Sequence, residues 1–190
     1  MVGAILTQNT SWSGVEKAII NLKRERLLSP EAIINADRER LALQLKPSGY
    51  FNIKAKRLRN YCNWYLDEGG LEALSTLATD DLRHRVLSVN GVGPETADDI
   101  LLYAFERPVF VIDAYTRRIF SRLGQIKGDE GYEVLRRWFE SHLGQNRSEE
   151  SRVALFNNLH ALIVMLAKDF CRKKSFCTGC PLSNKCPGTD

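Results

Sequence analysis

The clearest chemistry in the chain is a set of four cysteines near its C-terminal end, spaced as Cys171-x5-Cys177-x2-Cys180-x5-Cys186. Four thiolates this close together, with Pro181 and Pro187 as turn formers, can close around one metal centre. The spacing does not separate zinc from an iron–sulfur cluster. Such crowding fits a metal site in a reducing compartment better than the disulfides of a secreted protein. The fifth cysteine, Cys62, lies far away in a helical pattern and reads as a core thiol.

A carboxylate and a glycine turn are the other candidates. Asp113 stands in an apolar run, Val111-Ile-Asp-Ala-Tyr115, just ahead of a helix start. A carboxylate so placed can stabilise developing positive charge and orient a water, or it can simply cap the helix that begins at Ala114. Upstream, Gly91 and Gly93 bracket one apolar residue between two helical patterns, and Pro94 then occupies a first helical position, where its missing N–H costs nothing. Helix, tight hairpin, helix is the reading. The backbone N–H groups opening the second helix suit an anion such as a phosphate, although an ordinary helix connection would look the same.

Helical periodicity prevails in the segments that must position these residues, and the fold class read from the sequence is all-α. Helices are predicted near 13–24, 30–35, 38–45, 52–66, 71–76, 79–88, 94–106, 114–123, 130–143 and 149–168. Ser11, Ser29 (before Pro30) and Asp129 are the expected caps of the first, second and ninth. Val109-Phe-Val-Ile112 is the one run that could pass for a strand. In the helix after the hairpin, Ala97, Ile100, Leu101 and Ala104 recur at helical steps and should be buried, with Asp98 and Asp99 outside.

Composition sets the outer bounds. The chain has 190 residues, enough for one good core or two small ones, and 44% hydrophobic with 26% charged residues marks it as globular. A net charge of +4 permits nucleic-acid binding without requiring it, so the position of the charge matters more than its sum. Lys23 to Arg26, Lys54 to Arg59, Arg117-Arg118 and Arg136-Arg137 are the basic runs, each equally readable as a solvated helix face. No stretch approaches the ~20 apolar residues of a membrane span, and the start lacks the basic region of a signal peptide, so an intracellular, cytoplasmic protein is expected. His84, His142 and His160 show no ligand spacing and receive no role.

Leu87 to Phe105, followed by Val111-Ile-Asp-Ala-Tyr-Thr-Arg-Arg118, resembles the helix-hairpin-helix, Gly/Pro-rich loop and aspartate signature of the endonuclease III (HhH-GPD) superfamily of DNA glycosylases. Ile5-Leu-Thr-Gln-Asn-Thr10 is similar to the family's early DNA-contacting turn, Gly49 to Leu58 to its second contact segment, and the terminal cysteines to its iron–sulfur loop, whose first gap is usually one residue longer. Within the superfamily the pattern looks closest to 3-methyladenine DNA glycosylase III. Family members usually carry a further helical stretch before the point where this chain starts, so either the start is truncated or the cluster lobe lacks a piece.

The resemblance implies a two-lobed DNA glycosylase, with a helical lobe at 1–107, a lobe carrying the aspartate and a 4Fe–4S cluster at 108–190, and a cleft between them. Asp113 would be catalytic. Glu95 occupies the position where bifunctional members place the lysine that forms a Schiff base, so this enzyme should release the base and leave the strand intact. Glu95 and Trp12 would line the pocket of the extruded base, suiting a cationic purine by charge attraction and cation–π stacking. Gln8 would fill the hole left by the flipped base and Tyr50 would be the wedge opposite, with Lys54, Lys56 and Arg57 near backbone phosphates and Val89, Gly91 and Gly93 in the phosphate clamp. Cys171, Cys177, Cys180 and Cys186 would hold the cluster.

Each residue also has a plainer reading. Glu95 favours a helix N-terminus by charge alone, Trp12 could be core, and Tyr50 an ordinary loop aromatic. The expected partner is double-stranded DNA containing a damaged base, met by a monomer without a membrane. The expected substrate is an alkylated purine such as 3-methyladenine. The alternatives are a nicking enzyme for oxidised pyrimidines, a uracil or thymine mismatch glycosylase, and a DNA-binding module without catalysis.

Overall fold

The computed structural model describes residues 1–187. Among them all regular structure is helical: eleven α-helices and one 3₁₀ turn. The chain divides into two compact units, Met1–Phe105 and the part from Glu106 onward.

The first unit contains α1 (Val2–Leu6), α2 (Trp12–Arg24), α3 (Pro30–Asn35), α4 (Arg38–Leu45), a 3₁₀ turn (Lys46–Ser48), α5 (Phe51–Asp67), α6 (Gly70–Ser75), α7 (Thr79–Leu87) and α8 (Pro94–Ala104). Its centre is α5, which packs against α1, α3, α4 and α6 through Ala55, Leu58 and Tyr61. Burial drives the phenol of Tyr61 well above the usual tyrosine pKa and pushes the Cys62 thiol up to about 12, so Cys62 is an inert core residue at neutral pH. Ser29 caps α3 by accepting from the Ala32 amide at 3.1 Å. Ser11 stands at the N-cap of α2 but its hydroxyl meets Ser13 Oγ, so it caps by backbone geometry alone.

α7 and α8 are the two helices of the hairpin, and they are clamped by an ion pair that the sequence reading placed in solvent. Asp98 is buried, its carboxylate accepting from Arg83 Nε at 2.6 Å and Nη2 at 3.1 Å. The apolar stripe of α8 is wider than expected, and a carboxylate inside it is tolerable only because a planar guanidinium meets it in bidentate fashion. Asp99 is half-buried, and so is Ala104.

The second unit runs from an extended segment into α9 (Ala114–Arg122), α10 (Tyr132–Leu143) and α11 (Glu149–Asp169) and ends in the cysteine loop. Val109 to Ile112 is buried without strand partners and delivers Asp113 to the head of α9. Phe110, Phe139 and Phe156 form the core, with Phe110 stacked on Phe139 at 4.6 Å and edge-on to Phe156 at 5.4 Å. The Phe110 amide donates to Glu140 and Arg152 donates to the Pro108 carbonyl, which pins the extended segment. Gly131, not Asp129, is the N-cap of α10, because Glu130 accepts from the amides of Lys127 and Gly128 and closes the turn one step later.

Candidate active site

In the first unit the sequence-predicted residues meet around the hairpin. Gly91 has φ +99°, and a Cβ there would stand 2.4 Å from Arg57 Cγ, so both backbone and space demand glycine. The arginine stem pressed on Gly91 sends its guanidinium to Gln8 Oε1. Gln8 Nε2 in turn donates to Gly91 O and to Thr96 Oγ1, both at 3.0 Å. Gln8 is thereby locked to the hairpin and to the first turn of α8, although Thr7 and Gln8 stand over eighty residues earlier in the chain.

Gly93 is the N-cap of α8 and has no side chain with which to satisfy the helix's first amides, and it is exposed with open space where a Cβ would stand. Those amides and the helix dipole present a positive end to any anion. Val89 is buried and its amide donates to Val86 O, so it shapes the turn from within and offers no donor to a phosphate. Glu95, in the first turn of α8, is exposed. Trp12 is 46% exposed at the start of α2, with its ring against Gly3. It is therefore a half-open aromatic face and not a core residue.

Tyr50 is 67% exposed and held at φ 45°, directly after Gly49 at φ 66°. A bulky residue in the left-handed region is held there by its surroundings. The chain turns so tightly between the 3₁₀ turn and α5 that the phenol is thrown outward.

Lys54, expected at backbone phosphates, is instead only 1% exposed. Its Nζ donates to Leu6 O at 2.9 Å and Ser48 O at 2.5 Å. Both are last-residue carbonyls, of α1 and of the 3₁₀ turn, which have no intrahelical partner. Burial, and then the neighbouring Arg57 charge, lower the amine's pKa. Lys54 ties three elements together with its amine turned inward, away from the solvent-facing position expected of a phosphate contact.

In the second unit Asp113 is the N-cap of α9, its Oδ1 accepting from the Thr116 amide at 2.7 Å. The capping role and the chemical one coexist, since the other oxygen faces elsewhere: Oδ2 lies 3.6 Å from His160 Nε2. Burial opposes ionisation of Asp113 most strongly, but His160 and the Thr116 amide together outweigh it and hold the carboxyl below the usual range. His160 was given no role from the sequence. It projects from α11, 8% exposed, and only folding brings it to Asp113.

The same helix, α9, reaches the cysteines. Arg118 Nε donates to Cys171 O at 2.8 Å, and Arg122, one turn on, donates to Cys171 Sγ at 3.2 Å, Arg172 O at 2.7 Å and Lys173 O at 2.9 Å. The thiol of Cys186 in turn lies 3.6 Å from Arg122 O. Cys171, Cys177, Cys180 and Cys186 all line one cavity of about 370 Å³, floored by apolar side chains that include Ile119, Leu166 and Phe170. Among the described residues, no three His, Cys, Asp or Glu side chains converge tightly enough to hold a single metal ion.

A glycine hairpin between two helices, followed by an aspartate at the head of the next helix, is the arrangement that the sequence resemblance anticipates. The chain belongs to the HhH-GPD superfamily of base excision DNA repair proteins, whose model matches residues 2–145. Over 189 residues it is 46% identical to the "Putative DNA repair glycosylase" of Methanocaldococcus jannaschii, covering 98% of this chain and 83% of that one. It is similar in structure to the Helicobacter pylori 3-methyladenine DNA glycosylase bound to 1,N6-ethenoadenine, with a TM-score of 0.73 at 32% identity, covering 88% of this chain and 82% of that one. An endonuclease III–DNA complex shares the fold at a TM-score of 0.78 and 22% identity, covering 98% and 80%.

Proposed function

We propose that this DNA glycosylase is monofunctional and hydrolyses the N-glycosidic bond of alkylated purines such as 3-methyladenine. The observation that carries the reading is Glu95, an exposed carboxylate in the first turn of the hairpin's second helix. At the position that resembles the Schiff-base lysine of nicking relatives, a carboxylate cannot form an imine, whereas it attracts a cationic base. The similarity at 32% identity to an enzyme named for 3-methyladenine supports the same class.

In this reading Asp113, ionised and held by His160 and Thr116, stabilises the positive charge that develops on the sugar and orients water at the anomeric carbon. Glu95 and the half-open face of Trp12 receive the base. Gln8, braced by Arg57 and Thr96, enters the space the base has left, and Tyr50 stacks opposite. Gly91, Gly93 and the first amides of α8 hold a backbone phosphate. The enzyme works as a monomer on double-stranded DNA.

The four cysteines lining one cavity, with Arg122 donating to Cys171, fit a 4Fe–4S cluster, since a cation beside a thiolate suits it. Cys171, Cys177, Cys180 and Cys186 would hold it. Its contribution would be to cross-link the loop, and through Arg118 and Arg122 the loop steadies α9, the helix that Asp113 caps.

The test is incubation of purified protein with methylated duplex and with uracil- and thymine-glycol-containing duplexes, scoring strand breaks before and after hot alkali. Alkali-dependent breaks in the methylated duplex are the expected result. Breaks without alkali would overturn the monofunctional reading, and a response to uracil alone would overturn the substrate.

A further inference from the structure

Gln8 cannot enter a gap in DNA from the position it holds in the free protein. Its amide is fully engaged, with Oε1 accepting from Arg57 Nη1 and Nε2 donating to Gly91 O and to Thr96 Oγ1, each at 3.0 Å. Some of these bonds must break before the side chain can leave the hairpin.

The three partners differ in what they can do. Gly91 O belongs to the hairpin backbone and Thr96 is buried in the first turn of α8, so both acceptors stay where the fold puts them. Arg57 is half-buried, its stem laid against Gly91 and its guanidinium at the end of a long side chain that can follow the amide outward. The charge-assisted bond is also roughly twice as strong as either neutral one. Gly91 is partly exposed, so water can take over its carbonyl.

We propose that Arg57 is a positioning residue for Gln8: it keeps the amide oxygen while the amide nitrogen swings off the hairpin, so that Gln8 offers donors, and not its carbonyl, to the base left unpaired. The inference rests on Gln8 being the residue that enters the gap. Tyr50 caps α5 and Arg57 stands about two turns along the same helix, so one rigid element sets both the wedge and the arm that aims Gln8. Arg57 thereby serves the strand opposite the lesion and is not a phosphate contact.

A side chain that offers only donors distinguishes unpaired bases. On their pairing edges thymine and cytosine each present two acceptors, whereas adenine and guanine each present one. Pyrimidines are the bases that an excised purine leaves opposite, so the aim of Gln8 matches the proposed substrate class.

The experiment measures binding of the full chain to duplexes that carry a tetrahydrofuran abasic analogue opposite each of the four bases, so it does not depend on which lesion the enzyme excises. The wild type should bind the analogue opposite thymine or cytosine roughly threefold to tenfold more tightly than opposite adenine or guanine, the effect of about one further hydrogen bond. Arg57→Met keeps the stem on Gly91, removes the guanidinium and should erase that ratio. Gln8→Ala should erase it too, and the double variant should lose nothing more, because Arg57 acts through Gln8. Arg57→Lys, which keeps a charged donor, should retain the preference.

The log K against log salt slope should be the same in Arg57→Met as in the wild type, whereas a lost phosphate contact would lower its magnitude by about 0.9. A slope lowered by that amount, or an Arg57→Met variant that still prefers pyrimidines, would overturn the proposal. Indifference of the wild type to the unpaired base would overturn it while leaving Gln8 in the gap. A wild type that binds gapped and intact duplexes alike would remove the gap-filling role and this inference with it. Unchanged melting temperatures confirm that the variants fold.

Discussion

His160 Nε2 stands 3.6 Å from Oδ2 of Asp113, so the carboxylate that caps α9 is held from one side by a backbone amide and from the other by an imidazole. The pair argues for His160 as a positioning residue. Burial raises the Asp113 pKa, and His160 and Thr116 lower it by more, so the folded value lies below the ~3.9 of a free aspartate. The stabilisation this gives is fully present above that value and is lost as pH falls through the lower, folded pKa. A carboxyl-carbon NMR titration should find the Asp113 midpoint below ~3.9 and moved upward in His160→Gln. Asp113→Asn should abolish base release with DNA affinity nearly unchanged, whereas His160→Gln should lower kcat with little change in KM.

Glu95 makes a charge-specific prediction. Glu95→Gln should slow release of a cationic 3-methyladenine by roughly tenfold or more, the effect of losing about 1.4 kcal/mol of attraction, while a neutral ethenopurine should be affected far less. Equal losses on both bases in single-turnover assays would reduce Glu95 to a helix-capping charge.

The Arg83–Asp98 pair should matter to stability and, through the hairpin, to DNA binding. Asp98→Ala removes a bidentate partner from a buried guanidinium and should cost about 3–5 kcal/mol in denaturant unfolding. Asp99→Ala, one residue on and half-buried, should cost much less.

Lys54→Met should also be read in stability. It leaves two buried helix-end carbonyls without their charged donor, at a cost of about 1.5–3 kcal/mol for each hydrogen bond lost. The salt slope for DNA binding should stay as it was, which separates Lys54 from Lys56.

The proposed 4Fe–4S cluster predicts a brown purified protein containing iron and sulfide, and single serine substitutions at Cys171, Cys177, Cys180 or Cys186 should remove both and lower the melting temperature. A colourless protein with stoichiometric zinc would replace the cluster with a single ion. Arg122→Gln should leave iron in place while making it easier to extract with a chelator, because the Cys171 thiolate loses its cationic donor.

The sequence by itself determined what local rules encode. Apolar residues at helical steps located nearly every helix, Ser29 and Pro30 opened α3, and Gly91, Gly93 and Pro94 marked the hairpin, because periodicity, caps and glycine geometry act within a few residues. The short α1 and the 3₁₀ turn escaped, being too brief to show a period. Asp113 and the cysteine run were legible as chemistry because their residue types and neighbours are unusual.

Only the tertiary structure decided which charges are inside. Lys54 and Asp98 read as solvated because a charge is costly to bury. Each is buried because a distant partner compensates it, helix-end carbonyls for one and Arg83 for the other. For the same reason the link from Arg122 to Cys171, across 49 positions, and the approach of His160 to Asp113 left no local signal: both are made by packing α9 against the elements that follow it.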